Sequence, residues 1–138
     1  MSSDYTPHVV FVNGCFDILH KGHIELLDYA KSLGTHLVVG IDSDSRVREM
    51  KGLNRPINTQ EDRQFLLEAL ECVDRVCVFS SDEELENLVK NVDADTMIVG
   101  EEYKDKKVIG HRPEISLLFF PKVNGYSTTK TLEDTANR

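Results

Sequence analysis

The chain has 138 residues and a mass of 15.7 kDa, enough for one domain with a sizeable core but not for two. A formal net charge of −8 and a pI near 5.0 exclude a broad nucleic-acid surface, which needs a basic face, and no apolar run reaches the ~20 residues of a membrane span. The opening MSSDYTPH does not read as a signal peptide, and Cys15, Cys72 and Cys77 form no disulfide framework, so the expectation is a soluble protein of a reducing, cytoplasmic setting.

Along the chain, Val9–Val12 is a short apolar run suited to a buried strand, broken by Asn13-Gly14. Gly22–Leu33 carries Ile24, Leu27, Ala30 and Leu33 at helical spacing, with Gly34 as its stop. Leu37–Ile41 reads as a second strand. Gln60–Leu70 reads as a helix in which Phe65, Leu66 and Ala69 share a face. Val73–Phe79 follows as a strand, Glu83–Val92 as a helix opened by acidic residues, and Thr96–Val99 and Leu117–Phe120 as the last strands. Thr128–Asp134 closes the chain as a short helix. Strands separated by helices imply βαβ units. The predicted fold is a single α/β domain over residues 1–138, a Rossmann-like, doubly wound, five-stranded parallel sheet in a three-layer sandwich.

Such folds bind ligands beyond the carboxyl ends of their strands, at the switch point. Polar loops fall there, three of the four with a glycine: Gly14–Asp17, Asp42–Asp44, Gly100–Lys104 and Lys122–Thr129. In the first, Gly14 would let the backbone approach a ligand. His20 and His23 stand at i, i+3, so a helix starting near Lys21 would turn both imidazoles one way, with Gly22 between them. Unpaired amides at that helix start would seat a phosphate, and two neutral imidazoles would add N–H donors. A solvated turn pair or half of a zinc site is the alternative, but no CxxC or HExxH spacing supplies further ligands. Cys15 reads as a small residue in a crowded loop or as a thiolate near a helix start. Asp17 reads as a loop-ordering carboxylate rather than a metal ligand. A GxGxxG after the first strand is absent, which disfavours a nicotinamide cofactor.

An acidic protein that binds a polyphosphate must gather its cations at the site. Arg46, Arg48, Lys51 and Arg55 fall in one segment, and Lys104, Lys106 and Lys107 in another. Arg63, at the start of a helix, opposes the helix dipole unless it meets an anion; an ordinary surface pair with Glu61 or Asp62 is the alternative. Gly100, Glu101 and Tyr103 offer backbone and a ring against which a base could lie, or simply a strand-ending turn with a solvated acidic pair. Gly125, Tyr126, Ser127, Thr128 and Thr129 place hydroxyls at a helix start, as a plain cap or as a phosphate clamp.

The sequence Gly14-Cys15-Phe16-Asp17 followed by His20-Lys21-Gly22-His23 resembles the HxGH signature of the nucleotidylyltransferase superfamily. The segments Met50-Lys51-Gly52, Arg55-Pro56-Ile57-Asn58, Glu61-Asp62-Arg63 and Glu68–Phe79, with Gly100, Tyr103, Lys104, Ile109 and Gly110, are most similar to the adenylyltransferase domain of ADP-heptose synthases. Glycerol-3-phosphate cytidylyltransferase comes second, through the ending Gly125–Lys130. Lys122 where an arginine is usual, and Asp82–Glu84 where a lysine is usual, depart from it. The resemblance implies transfer of NMP from an NTP, ATP in preference to CTP, to a phosphomonoester such as a heptose 1-phosphate, with release of pyrophosphate. It implies catalytic roles for His20, His23, Lys51 and Arg63, the last two neutralising the triphosphate. Nucleotide contacts would come from Gly14, Cys15, Phe16, Asp17, Gly22, Gly100, Glu101 and Tyr103, and from Lys122, Gly125, Tyr126, Ser127, Thr128 and Thr129. Mg²⁺ would arrive with the NTP, and the protein would be a homodimer with no nucleic-acid or membrane partner. A non-catalytic nucleotide-binding domain of the same fold is the reading of another class.

Overall fold

Successive residues of a strand point to opposite faces of its sheet, and in this protein both faces are buried. In the computed structural model, which describes residues 6–121, Val10 and Val12 face one side with Leu37, Val39, Ile41 and Ile98, while Phe11, Val38 and Met97 face the other. Neither layer tolerates a polar interruption. The strands are therefore near-continuous apolar runs, as a doubly covered parallel sheet requires.

The elements alternate in the order β1 (Val9–Gly14), α1 (Lys21–Ser32), β2 (His36–Asp42), α2 (Asp44–Lys51), α3 (Gln60–Glu68), β3 (Arg75–Phe79), α4 (Asp82–Asn91), β4 (Thr96–Gly100) and β5 (Ser116–Phe120), with a 3₁₀ turn at Glu101–Tyr103. All four strand pairings are parallel and the order is β3-β2-β1-β4-β5. Leu27 and Ala30 of α1 and Leu67 of α3 pack on one face, Leu85 and Val89 of α4 on the other. This is the expected Rossmann-like α/β sheet. Because β1 pairs with both β2 and β4, the order reverses between β1 and β4, and their carboxyl ends open the crevice where this fold takes its ligands.

Four local expectations are corrected. Helix α2 has no counterpart in the sequence reading, because only Val47 of its eight residues is buried and its stripe is too thin to see. Ser43 caps it, accepting from the Arg46 amide. The third strand begins at Arg75, since Leu70–Asp74 turns first, with the Val73 amide donating to the Leu70 carbonyl. The buried face of α3 consists of Arg63 and Leu67, while Phe65 is 71% exposed. Gly34 follows α1 without adopting the left-handed conformation of a helix stop. A Cβ there would run into the His8 carbonyl oxygen and lie 2.9 Å from Val10 Cγ2, so close approach of backbone is what demands glycine. The expected closing helix, together with Lys122, Gly125, Tyr126, Ser127, Thr128 and Thr129, lies outside the described residues.

Candidate active site

The turn after β1 is built around the two histidines. His20 is the N-cap of α1, with extended backbone, and its Nδ1 accepts from the Gly22 amide at 3.1 Å. His23 returns the contact, its Nδ1 accepting from the His20 amide at 3.2 Å. HxGH thus acts as a capping box in which imidazoles replace the usual hydroxyl and carboxylate. The rings stack with centroids 3.9 Å apart. They meet through this reciprocal cap rather than by sharing a helical face, because His20 stands outside the helix. The Gly22 amide, expected to be open to a phosphate, is taken by His20.

The cap also fixes the protons. A backbone amide can only donate, so each Nδ1 is an acceptor and each neutral ring carries its hydrogen on Nε2. Burial lowers the His20 pKa, and burial first, then His20 and Lys51, pull His23 down to about 4. Both rings are therefore neutral Nε2–H donors at pH 7.

Phe16 completes the arrangement. It sits at φ 50°, and its ring, 6% exposed, lies 5.2 Å from the His23 ring. A Cβ on Gly14 would come 3.1 Å from Phe16 Cε2, so the room left by this glycine is filled by that ring rather than by a ligand. Phe16 supports His23 and does not face the cavity. Cys15 lines the cavity, and burial pushes its thiol pKa up, with Lys51 and Arg63 pulling against that. It is a protonated thiol, not a thiolate.

Asp17 is 1% exposed and accepts from the amides of Ile57 and Asn58, each at 2.8 Å, and from Arg55 Nε at 3.4 Å. Asn58 Nδ2 donates in turn to the Asp17 carbonyl. The carboxylate latches the 53–58 loop onto the β1 turn, as a loop-ordering residue would. Sequence reasoning misses Asn58 as the other half of the latch, since an asparagine after proline signals only a turn.

Arg63 is the main correction at this site. Its side chain is 0% exposed and is directed at protein groups, its ion pair being with Asp44 and not with Glu61 or Asp62. Nε donates to the Asn58 carbonyl (3.0 Å), Nη1 to the carbonyls of Cys15 (2.9 Å) and Asp42 (2.7 Å), and Nη2 to Asp44 Oδ1 (2.8 Å). The anion its placement demanded is Asp44, and the guanidinium is turned inward.

A cavity of about 350 Å³ opens at the carboxyl ends of β1, β2 and β4. Asn13, Gly14 and Cys15 form its floor, Asp42, Arg46, Met50 and Lys51 one side, and Val99, Gly100, Tyr103 and Lys107 the other. Of the expected residues, Gly14, Cys15, Lys51, Gly100 and Tyr103 come together here. Glu101, exposed on the 3₁₀ turn, is not in the lining. The imidazole pair stands beside the cavity, close enough to Lys51 for that charge to act on His23. Among the described residues no group of three or more His, Cys, Asp or Glu could hold a metal ion. Asp17 and Asp42 are engaged by donors, so a divalent cation would have to enter on the oxygens of a bound polyphosphate.

A parallel sheet with a switch-point cavity, floored by a glycine loop and flanked by neutral imidazole donors, defines a nucleotide-handling α/β protein. Residues 11–133 match the model of the cytidylyltransferase-like family, and the chain belongs to that family of nucleotidylyltransferases. It is 49% identical to the bifunctional protein HldE of Sulfurimonas denitrificans over 125 residues, covering 91% of this chain and 26% of that protein. The HldE of Campylobacter fetus is also 49% identical, over 126 residues covering 90% of this chain and 27% of its own. The chain thus spans about a quarter of the length of these curated relatives. Among solved structures, a lipopolysaccharide core biosynthesis protein from Thermoplasma volcanium superposes with a TM-score of 0.71 at 28% identity, covering 86% of this chain and all of that one. A pantothenate synthetase from Thermus thermophilus, at 18% identity and a TM-score of 0.60, shares the fold; 84% of this chain and 56% of that one are covered.

Two outcomes test the histidine geometry. The unfolded chain protonates His23 near pH 6.5, whereas the folded ring resists down to about 4. Between those values the unfolded state binds more protons, so stability falls as pH drops through that window. In the ligand-free protein, NMR titration of the His23 ring should give a midpoint near 4. A midpoint at the ordinary histidine value, about 6.5, contradicts the assignment. Separately, His20→Asn keeps an acceptor at the cap and should unfold in urea close to the parental midpoint, whereas His20→Ala should lose about 1 kcal/mol. Both lack the Nε2 donor, so both should release pyrophosphate roughly a hundredfold more slowly; parental turnover in His20→Asn refutes the donor role.

Proposed function

We propose that this domain transfers AMP from ATP to a sugar 1-phosphate of the heptose 1-phosphate type, releasing pyrophosphate. The observation that carries the reading is the self-capped imidazole pair, whose Nδ1 atoms are taken by backbone amides so that each neutral ring keeps its hydrogen on Nε2, with His23 near enough to Lys51 of the cavity wall to feel its charge. A phosphate oxygen of the acceptor attacks the α-phosphorus as the bond to the β-phosphate bridging oxygen breaks, and pyrophosphate leaves with that electron pair. No protein nucleophile is needed, only positioning and charge neutralisation. The two imidazoles donate to the oxygens on which charge builds, and Lys51 supplies a mobile cation from the end of α2. Mg²⁺ would arrive as part of the NTP substrate and would neutralise charge on its phosphates.

Val99, Gly100 and Tyr103 offer the adenine an apolar, partly aromatic wall, with backbone groups for its edge. By resemblance, Lys122, Gly125, Tyr126 and Ser127–Thr129 close over the phosphates from the far side. The same resemblance supports a cytoplasmic homodimer whose partners are the NTP and the phosphomonoester.

The test is a matrix of four NTPs against heptose 1-phosphate, glycerol 3-phosphate and other phosphomonoesters, scored by pyrophosphate release. ATP with a sugar 1-phosphate should be fastest, ahead of CTP by roughly ten- to hundredfold, the worth of one unmet buried polar group at the base. Faster turnover of CTP with glycerol 3-phosphate would replace the substrate assignment. Silence across the matrix would remove the transferase.

A further inference from the structure

A second cavity, of about 370 Å³, adjoins the first through Lys107 and Val108, which line both. Glu86, Asn87 and Lys90 of α4 form one side of it, and Gly110, His111 and Arg112 of the loop before β5 the other. Gly110 makes that packing possible. Its φ of 88° is left-handed, and a Cβ there would stand 2.9 Å from Cγ2 of the fully buried Val89. The loop thus lies directly on α4, which sets its basic residues opposite Lys90.

The charge of this cavity runs against that of the chain. Lys90, Lys107 and Arg112 stand against the single carboxylate of Glu86 in its described lining, formally +2 with His111 neutral, while the whole chain carries −8. Counting Glu114, which lies outside the lining 2.8 Å from Arg112 Nε, still leaves +1. These cations are also uncommitted. Arg46, Arg55 and Arg63 are each paired with a carboxylate. Among the described residues, Lys90 and Lys107 make no ion pair, and both Nη groups of Arg112 lack a hydrogen-bond partner. Cations that line one cavity repel one another, and each gains from an anion placed between them.

Size and polarity set the class of that anion. About 370 Å³ is more than a bare ion fills and falls within the range of small-molecule sites, roughly 300–1,000 Å³. Among the described residues of the lining, only Val108 and Gly110 lack a polar side chain, so a base finds no apolar wall of the kind Val99 and Tyr103 offer in the first cavity. Acceptors accompany the cations. Glu86 supplies a carboxylate and Asn87 a carbonyl oxygen, and His111 Nε2 donates to the Ile115 carbonyl at 2.8 Å, which leaves Nδ1 of the neutral ring as an acceptor. The cations answer a phosphate, and the acceptors answer hydroxyls.

We propose that this cavity is a second ligand site, for a phosphorylated polyol or sugar whose phosphate lies among Lys90, Lys107 and Arg112. It goes beyond the transferase reading, whose reacting phosphates belong beside the imidazoles on the Lys51 side of the first cavity, and it does not depend on that reading.

The test is a residue-resolved NMR titration of the protein with glycerol 3-phosphate, with glycerol and sodium chloride as controls. The backbone amides of Gly110 and His111 and the side-chain amide of Asn87 should shift saturably with glycerol 3-phosphate, and not with glycerol or with sodium chloride at the same ionic strength. Lys90→Gln combined with Arg112→Gln should weaken that binding about tenfold or more, as loss of hydrogen bonds to a charged group implies. Should the double variant fail to fold, Lys90→Gln alone, at an exposed position, should weaken it several-fold, and Lys90→Arg should restore it. Shifts confined to the first cavity, at Gly14 and Cys15, overturn the proposal. So does an equal response to glycerol or to chloride, and so does parental affinity in the variants that lose charge. A silent transferase assay leaves every one of these readouts in place.

Discussion

The buried guanidinium of Arg63 ties together the three segments from which the site is made. Its four hydrogen bonds reach the turn after β1 at Cys15, the junction of β2 and α2 at Asp42 and Asp44, and the loop before α3 at Asn58. Breaking such a buried, paired charge by removing one partner typically costs about 3–5 kcal/mol. Here the cost would fall on the floor and one wall of the cavity at once. Asp17 works alongside it, binding the 53–58 loop to the same turn through the amides of Ile57 and Asn58. The site is thus held from beneath by charges directed at protein groups, while Lys51 and Lys107 line the cavity itself.

The histidine pair shows how one local interaction fixes both a helix start and the tautomers of two rings. Each Nδ1 is used by a backbone amide to start α1, and that use leaves each Nε2–H as a donor. Burial, the neighbouring His20 ring and Lys51 make protonation of His23 costly, so at neutral pH the ring stays neutral with its Nδ1 held by the cap.

The continuous apolar runs of the strands and the helical spacing of α1 made the sheet legible, and the HxGH spacing marked the head of α1. Helix α2 was not legible, because one buried valine among charged residues leaves no periodicity. The role of Arg63 was half legible: its opposition to the helix dipole signalled an anion, but Asp44 lies 19 residues away in sequence, and only the fold brings the two together. Gly14 looked like a ligand-approach glycine, and the Phe16 ring that fills its space adopts a positive φ that nothing in the sequence announces. Long-range polar partners are what a single sequence hides, since hydrogen-bond complementarity has no period along the chain.

The most direct measurement is a crystal structure of the protein with a non-hydrolysable NTP analogue and Mg²⁺. The account predicts that Arg63 keeps its bonds to Cys15, Asp42, Asp44 and Asn58, while Nε2 of both His20 and His23 lies within hydrogen-bond distance, roughly 2.7–3.2 Å, of phosphate oxygens. Arg63 turned out of the protein onto the triphosphate, or imidazoles that keep no phosphate contact, would contradict it.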